Sequence, residues 1–449
     1  MAALESDAQI KGGVMNLMKV LQIASTLAFV SLSASAQQPL SETNPSQLGF
    51  FPDRLERVTQ TFQDFVDRGM LPGAVVLISR NDEIAYFRTF GFRDREQKIP
   101  MTRDTIFRIA SMTKPIVSVG AMMLAEEGKL DIGAPVSKYL PEFKGLKVRV
   151  EQLDPATGKT EVVMKPPVRP MSVQDLLRHT SGIVYGPPLG NGPVAEAYRD
   201  AKVLDRNDTT AELVTKIAQL PLANQPGEVW EYGASTDVLG RVIEVVSGMD
   251  LDRFVAERIT KPLGMTSTGF YVSAADRDRV AQPQTDSATG QRPPMFDPTQ
   301  KPKLMSGGAG GLSTASDYLL FCQMLLHGGQ LGNTRLLAPS TINLMTSNAL
   351  KPGIGYAAAV NQNFGDLGPT PAMGQGFGLG FALRTEPGEN PLPGSTGSFY
   401  WIGAFGTTFY IDPRQQLIII MMIQVPLSET GPYRRIFRYL AYQALSSVD

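Results

Sequence analysis

Two stretches near opposite ends of the chain constrain its fold most. "GAVVLISRNDEIAYFRTFGF", residues 73–92, reads as two strands joined by an Asn-Asp turn, and the same β pattern returns in "GFGLGFALRT", "SFYWIGAFGTTFYIDP" and "QLIIIMMIQV", residues 376–425. Between them, residues 171 to about 330 carry helical periodicity in "SVQDLLRHTSG", "TAELVTKIAQL", "TDVLGRVIEVVSG" and "SDYLLFCQMLLHGG". Strands at both ends with helices between predict an α+β fold, with an antiparallel sheet domain built from residues 50–140 and 305–449 and flanked by helices near 53–70 and 430–446. A mainly helical domain over 141–304 is inserted into it, with "KVRVEQLDPATGKTEVVMK" as a hairpin excursion at about 147–165. Three irregular segments, "GIVYGPPLGNGP", "PQTDSATGQRPPMFDPTQKP" and "KPGIGYAAAVNQNFGDLGPTPAMGQ", are long for connectors and are expected to line a site or to move.

The 449 residues are 43% hydrophobic with a formal net charge of -1, and no run of five basic residues occurs. Such a chain can bury a large core but offers no handle to nucleic acid or an anionic membrane, so a small, roughly neutral ligand is the expected partner. Residues 15–36 read as a secretory signal: "MNLMK" opens it, "VLQIASTLAFVSL" is its apolar core, and "SASAQQ" offers an A-x-A site ending at Ala36. The apolar core is short and interrupted by Gln22, Ser25 and Thr26, so no stable membrane insertion is expected after cleavage, and the mature protein is expected to be periplasmic or secreted. Residues 1–14 fit no signal n-region. Cys322 is the single cysteine, so an exported form folds without disulfides, and its apolar helical neighbours mark it as core rather than nucleophile.

In "RIASMTKPIVSVGAMMLAEEGKL", residues 108–130, Ser111 and Lys114 stand three apart at the start of a helix, where i and i+3 share a face and the amine can approach the hydroxyl. Near a helix start the Ser111 backbone N–H is also a candidate oxyanion donor. The same spacing fits Ser111 as an N-cap with Lys114 in solvent. The run "IVSVGAMMLA" after Pro115, apolar nearly all round, favours a buried helix, and a buried lysine needs a partner or becomes a neutral base. Histidine-based chemistry has little support, because His179 and His327 are the two histidines and no serine lies in G-x-S-x-G. There is no H-E-x-x-H, cysteine cluster or G-x-x-x-x-G-K-[ST], so neither metal nor nucleotide cofactor is expected. A serine hydrolase made of these residues needs a base other than histidine, which S-x-x-K provides.

The blocks "FRIASMTKPI", "LLRHTSGI", "WEYGASTDVLG", "SGGAGGLSTASDYLLFCQMLLHGG" and "SFYWIGAFGTTFYIDP" stand in the order and spacing of the serine β-lactamase-related hydrolases. Over roughly residues 50–446 the chain most resembles the family VIII carboxylesterases, which share the class C β-lactamase and D-alanyl-D-alanine carboxypeptidase fold. The resemblance implies Ser111 as the acylated nucleophile, Lys114 as the base that takes its proton, and Tyr232 of "EYGAS" as the partner in proton transfer that serves the leaving group. A phenol and an amine close together can share the proton, and which of Lys114 and Tyr232 is the resting base stays open.

Where class C β-lactamases and the peptidases carry K-T-G, this chain has Trp401-Ile402-Gly403, expected to contact substrate; Ile402 departs from the W-G-G usual in family VIII. An indole cannot replace the lysine's charge, which points away from anionic β-lactams and toward neutral esters. In the same register the Ala404 backbone N–H is the implied second oxyanion donor opposite Ser111. Ala234, two residues after the tyrosine, stands where many relatives have asparagine, and it removes a polar contact to substrate. His179 reads as structural, and "SGGAGG", Gly307–Gly311 within it, fits either a close backbone approach to the site or a simple turn. The resemblance implies a serine carboxylesterase for short-chain acyl esters with weak β-lactam hydrolysis. The alternatives are a β-lactamase, a D-amino-acid peptidase, an acyltransferase, or a non-catalytic penicillin-binding protein.

Overall fold

A computed structural model describes residues 41–286, 289–292 and 295–447; the secretory signal expected at 15–36 lies outside the described residues. The Asn-Asp turn starts the sheet. Asn81 and Asp82 have φ of 51° and 67°, the left-handed pair that lets a two-residue loop match the twist of its strands. The turn joins β1 (Gly73–Arg80) to β2 (Glu83–Asp94), which pairs on its far edge with β3 (Ile99–Pro100). The other strands come from the opposite end of the chain: β4 (Gln375–Phe377), β5 (Ala382–Arg384), β6 (Phe399–Ile402), β7 (Thr408–Asp412) and β8 (Leu417–Ile423). Their order is β4-β5-β6-β7-β8-β1-β2-β3, antiparallel throughout. The seam between the two chain ends is therefore the β8–β1 pair, with Ala74 opposite Ile423 and Arg80 opposite Leu417.

Both seam strands are buried along their whole length, which accounts for their uninterrupted apolar runs: each face of the sheet is covered. Five helices frame the sheet and the site: α1 (Pro52–Asp67), α2 (Thr113–Glu126), α3 (Ser235–Ser247), α4 (Ala315–Leu326) and α5 (Gly431–Gln443). Adjacent residues of β7 reveal the two covers, because successive strand side chains point to opposite faces. Phe409 meets Tyr318 of α4 at 5.1 Å between ring centres, whereas Tyr410 meets Tyr442 of α5 at 6.1 Å. α1 joins α5 through Phe62 and Phe437, 6.0 Å apart, using the buried stripe Leu55, Val58, Phe62 and Phe65. Burying one such side chain is worth roughly 1.5–3 kcal/mol.

α2 is buried from Thr113 through Leu124 and packs against α3, so it is the central rod of the molecule rather than a surface helix. Cys322 lies fully buried in α4, and burial pushes its thiol well above the ordinary range, leaving it inert. His327 ends α4 and pairs with Asp82 of the first turn at 2.8 Å. The hairpin over Val148–Leu153 and Thr160–Lys165 exposes Leu153, Val162 and Met164.

Candidate active site

Ser111 does not stand in the regular helix that its spacing suggests. A 3-10 turn, Ala110–Met112, precedes α2, and Ala110 takes φ of 44°, a left-handed conformation that costs an alanine roughly 1–2 kcal/mol. Ser111 does not cap α2, and Lys114 is 1% exposed, so the capping-serine and solvated-lysine arrangement is absent. The Lys114 amine instead finds its polar partners inside the protein. Its Nζ is in hydrogen-bond contact with Ser111 Oγ at 3.4 Å and with the Tyr185 phenol oxygen at 3.0 Å, and it donates to the Gly308 carbonyl at 2.8 Å. The serine contact is long, as such contacts often are before substrate tightens them.

Tyr232 stands beside this group: its ring centre lies 4.6 Å from Lys114 Nζ, a cation–π geometry. Behind it is an aromatic wall in which Trp401 and Tyr232 are 5.5 Å apart and His179 and Tyr232 5.1 Å apart, joined by Trp230, Phe364 and Phe377. His179 is fully buried there, and desolvation, then the Lys114 charge, holds its imidazole well below the usual range, hence neutral.

Tyr185 and Asp237, which the sequence did not single out, complete the cluster with Gly308, which lies in the glycine loop that it did. Tyr185 comes from the irregular "GIVYGPPLGNGP" segment, and burial, then the Asp237 charge, keeps its phenol well above the ordinary range, hence protonated. Asp237, in the first turn of α3, accepts from Ser306 Oγ at 2.5 Å and from the Gly308 N–H at 3.1 Å. Burial pushes its carboxyl up against the downward pull of Lys114. Gly308 gives the glycine-rich loop its purpose: a Cβ there would lie 2.4 Å from Asp237 Oδ2 and 2.8 Å from the Tyr185 oxygen. Length without periodicity was the one signal for Tyr185, and glycine density the one for Gly308.

The end of β6 abuts the serine turn directly. A Cβ on Gly403 would meet the Ile109 carbonyl at 2.4 Å and Thr407 Oγ1 at 2.1 Å, so only glycine allows this approach. Ser111 and Ala404 then line one cleft of about 460 Å³ whose walls include Val184, Tyr185, Leu189, Val203 and Ala234. The methyl of Ala234 and its aliphatic neighbours make the interior mostly apolar, with Arg199, Lys202 and Asp205 also on the lining. Trp401 is 1% exposed and is not among the cleft's lining residues. Ile402 lines a second, larger cavity of about 740 Å³ with Phe364, Leu427 and Arg434, which does not include Ser111. The structure thus brings Ser111, Lys114, Tyr232 and Ala404 to one place, with Trp401 behind Tyr232 and Ile402 facing away toward the neighbouring cavity.

The sequence profile of the beta-lactamase family matches residues 58–443. The chain belongs to the beta-lactamase family. Protein Rv1367c of Mycobacterium tuberculosis is 35% identical over 370 residues, covering 81% of this chain and 88% of that protein. Esterase EstB of Burkholderia gladioli is 30% identical over 392 residues, covering 82% and 89%. The solved structure of EstCE1, described as a hydrolase with promiscuous acyltransferase activity, superposes with a TM-score of 0.70 at 28% identity, covering 87% of this chain and 99% of that one. The similarity to EstB, an esterase, and to EstCE1, a hydrolase, agrees with the resemblance to the family VIII carboxylesterases within the beta-lactamase-like serine hydrolases. Among the described residues no helix is long and apolar enough to cross a membrane, and no group of three His, Cys, Asp or Glu side chains could hold a metal ion.

Proposed function

We propose that the protein is a carboxylesterase that hydrolyses neutral, short-chain acyl esters through an acyl-enzyme on Ser111. The observation that carries this reading is the buried Lys114 amine, hydrogen-bonded to Ser111 Oγ at the floor of an apolar cleft. Ser111 Oγ attacks the acyl carbon as its proton passes to Lys114, or to Tyr232 beside it, while the developing oxyanion is met by the backbone N–H groups of Ser111 and Ala404. The C–O bond to the alcohol breaks, and the alcohol takes a proton from the lysine–tyrosine group, to which Tyr185, held as a phenol, also contributes. Water repeats the sequence on the acyl-enzyme and releases the acid. Trp401 in place of a lysine supports neutral rather than anionic substrates, and the signal-like residues 15–36 support export to the periplasm or beyond.

The test compares p-nitrophenyl butyrate with the cephalosporin nitrocefin in the wild type, Ser111→Ala and a His179→Asn/His327→Asn double variant. The ester should be the better substrate by kcat/KM, Ser111→Ala should lose at least about a thousandfold in kcat, and the histidine-free protein should retain turnover. Preference for nitrocefin sinks the substrate reading; a folded but inactive histidine-free variant sinks the mechanism. The likeness to EstCE1 favours a second reading, acyl transfer to an alcohol other than water. Adding 1-butanol to the assay and measuring butyl butyrate against free butyrate separates the two.

A further inference from the structure

Arg434, in the first turn of α5, is 7% exposed, and among the described residues no carboxylate pairs with it. A buried cation without a counter-charge is costly, and burial lowers this guanidinium to about 9. What it holds is specific. One terminal nitrogen donates to Thr430 Oγ1 at 2.9 Å, the other donates to the Gly403 carbonyl, and Nε has no partner.

The Gly403 carbonyl is one half of a peptide group whose other half is the Ala404 N–H. In a trans, planar peptide these two point in opposite directions. A cation gripping the oxygen from the α5 side therefore turns the hydrogen to the other side, where Ala404 and Ser111 line the cleft. The grip also polarises the peptide, which strengthens its N–H as a donor. The Gly406 N–H donates to the same oxygen at 3.0 Å, so the turn after β6 fixes the peptide from within and Arg434 fixes it from outside.

We propose that Arg434 is a positioning residue for acyl transfer, clamping the Gly403–Ala404 peptide so that its N–H faces the oxyanion. The proposal rests on the reading of Ala404 as an oxyanion donor. A donor that matters only when the substrate oxygen carries charge acts on the transition state and not on ester binding. Arg434→Gln should therefore lower kcat for p-nitrophenyl butyrate about tenfold with KM unchanged. It should weaken by a similar factor the binding of butylboronic acid, which forms a tetrahedral adduct on a nucleophilic serine, and Arg434→Lys should recover part of both. Should Arg434→Gln fail to fold, Thr430→Val, which frees one end of the guanidinium and keeps its charge, should show the same paired loss at about threefold.

A folded Arg434→Gln with unchanged kcat and boronate affinity overturns the proposal. So does a rise in KM with boronate affinity intact, which is the mark of a merely structural residue. Folded Ala404→Pro, which has no N–H at that position, separates the two ideas: full turnover and boronate affinity there sink the oxyanion reading itself. If both are lost in Ala404→Pro but kept in Arg434→Gln, the clamp alone is wrong.

Discussion

Glu231, next to Tyr232, is 9% exposed, and burial raises its carboxyl to about 7 against the opposing pull of the Asn224 amide, which donates to it at 3.1 Å. In the unfolded chain a glutamate titrates near about 4.3. Between those values the folded protein keeps a proton that the unfolded chain has lost. Stability is then fully present below pH about 4.3, falls as pH rises through about 7, and is lost above it, a term of at most about 4 kcal/mol. Glu231→Gln removes the titration and keeps an acceptor for Asn224. Its melting temperature should exceed that of the wild type at pH 8.5 and match it at pH 5; equal melting at both would mean that the folded carboxyl is not desolvated. The neighbouring Tyr232 was legible in the sequence because "EYGAS" is a local pattern. Tyr185 and Gly308 were marked only by their stretches, an irregular segment expected to line a site or to move and a glycine loop that fitted a close approach or a turn. Their partner was not legible, because the contacts that bring them to Lys114 span 71 and 194 residues and no local spacing encodes such a meeting.

At the scale of elements, the site is made where three segments stop rather than where they run: the 3-10 turn before α2, the end of β6 and the glycine loop ahead of α4. Helix and strand bodies announced themselves through periodicity and apolar runs, as in α1 and β8. The ends did not, since the left-handed Ala110 and the tight approach of Gly403 to Ile109 are imposed by packing against one another. Gly308→Ala tests how closely the loop is fitted. The added methyl has no room between Asp237 and Tyr185, so we expect a loss of about 1–3 kcal/mol in stability. Turnover should fall with it, because the carbonyl that accepts from Lys114 shifts. Thermal melting and p-nitrophenyl butyrate hydrolysis on the same preparation check both, and a variant unchanged in either would show that the loop yields easily.

At the scale of the described body, the segment just before α1 meets the segment just after α5. Phe50 bridges Leu445, and the Ser446 N–H donates to the Gly49 carbonyl at 2.9 Å. A permutant that joins residue 447 to residue 48 through a short glycine-serine linker and opens in the exposed turn at 154–159 should therefore fold and retain esterase activity. Insoluble or inactive permutant would mean that the hairpin is needed intact for the body to form. That strands would gather from both ends was readable from their composition. The order in which they lie was not, because the pairing of Ala74 with Ile423 leaves no trace in either neighbourhood. The same seam sets when the sheet can close during synthesis. β1 leaves the ribosome early, yet one of its two neighbours, β8, is among the last segments made, so the centre of the sheet stays half-bonded for almost the entire translation. A nascent chain in that condition carries unpaired backbone along one edge of β1 until its last strands are made.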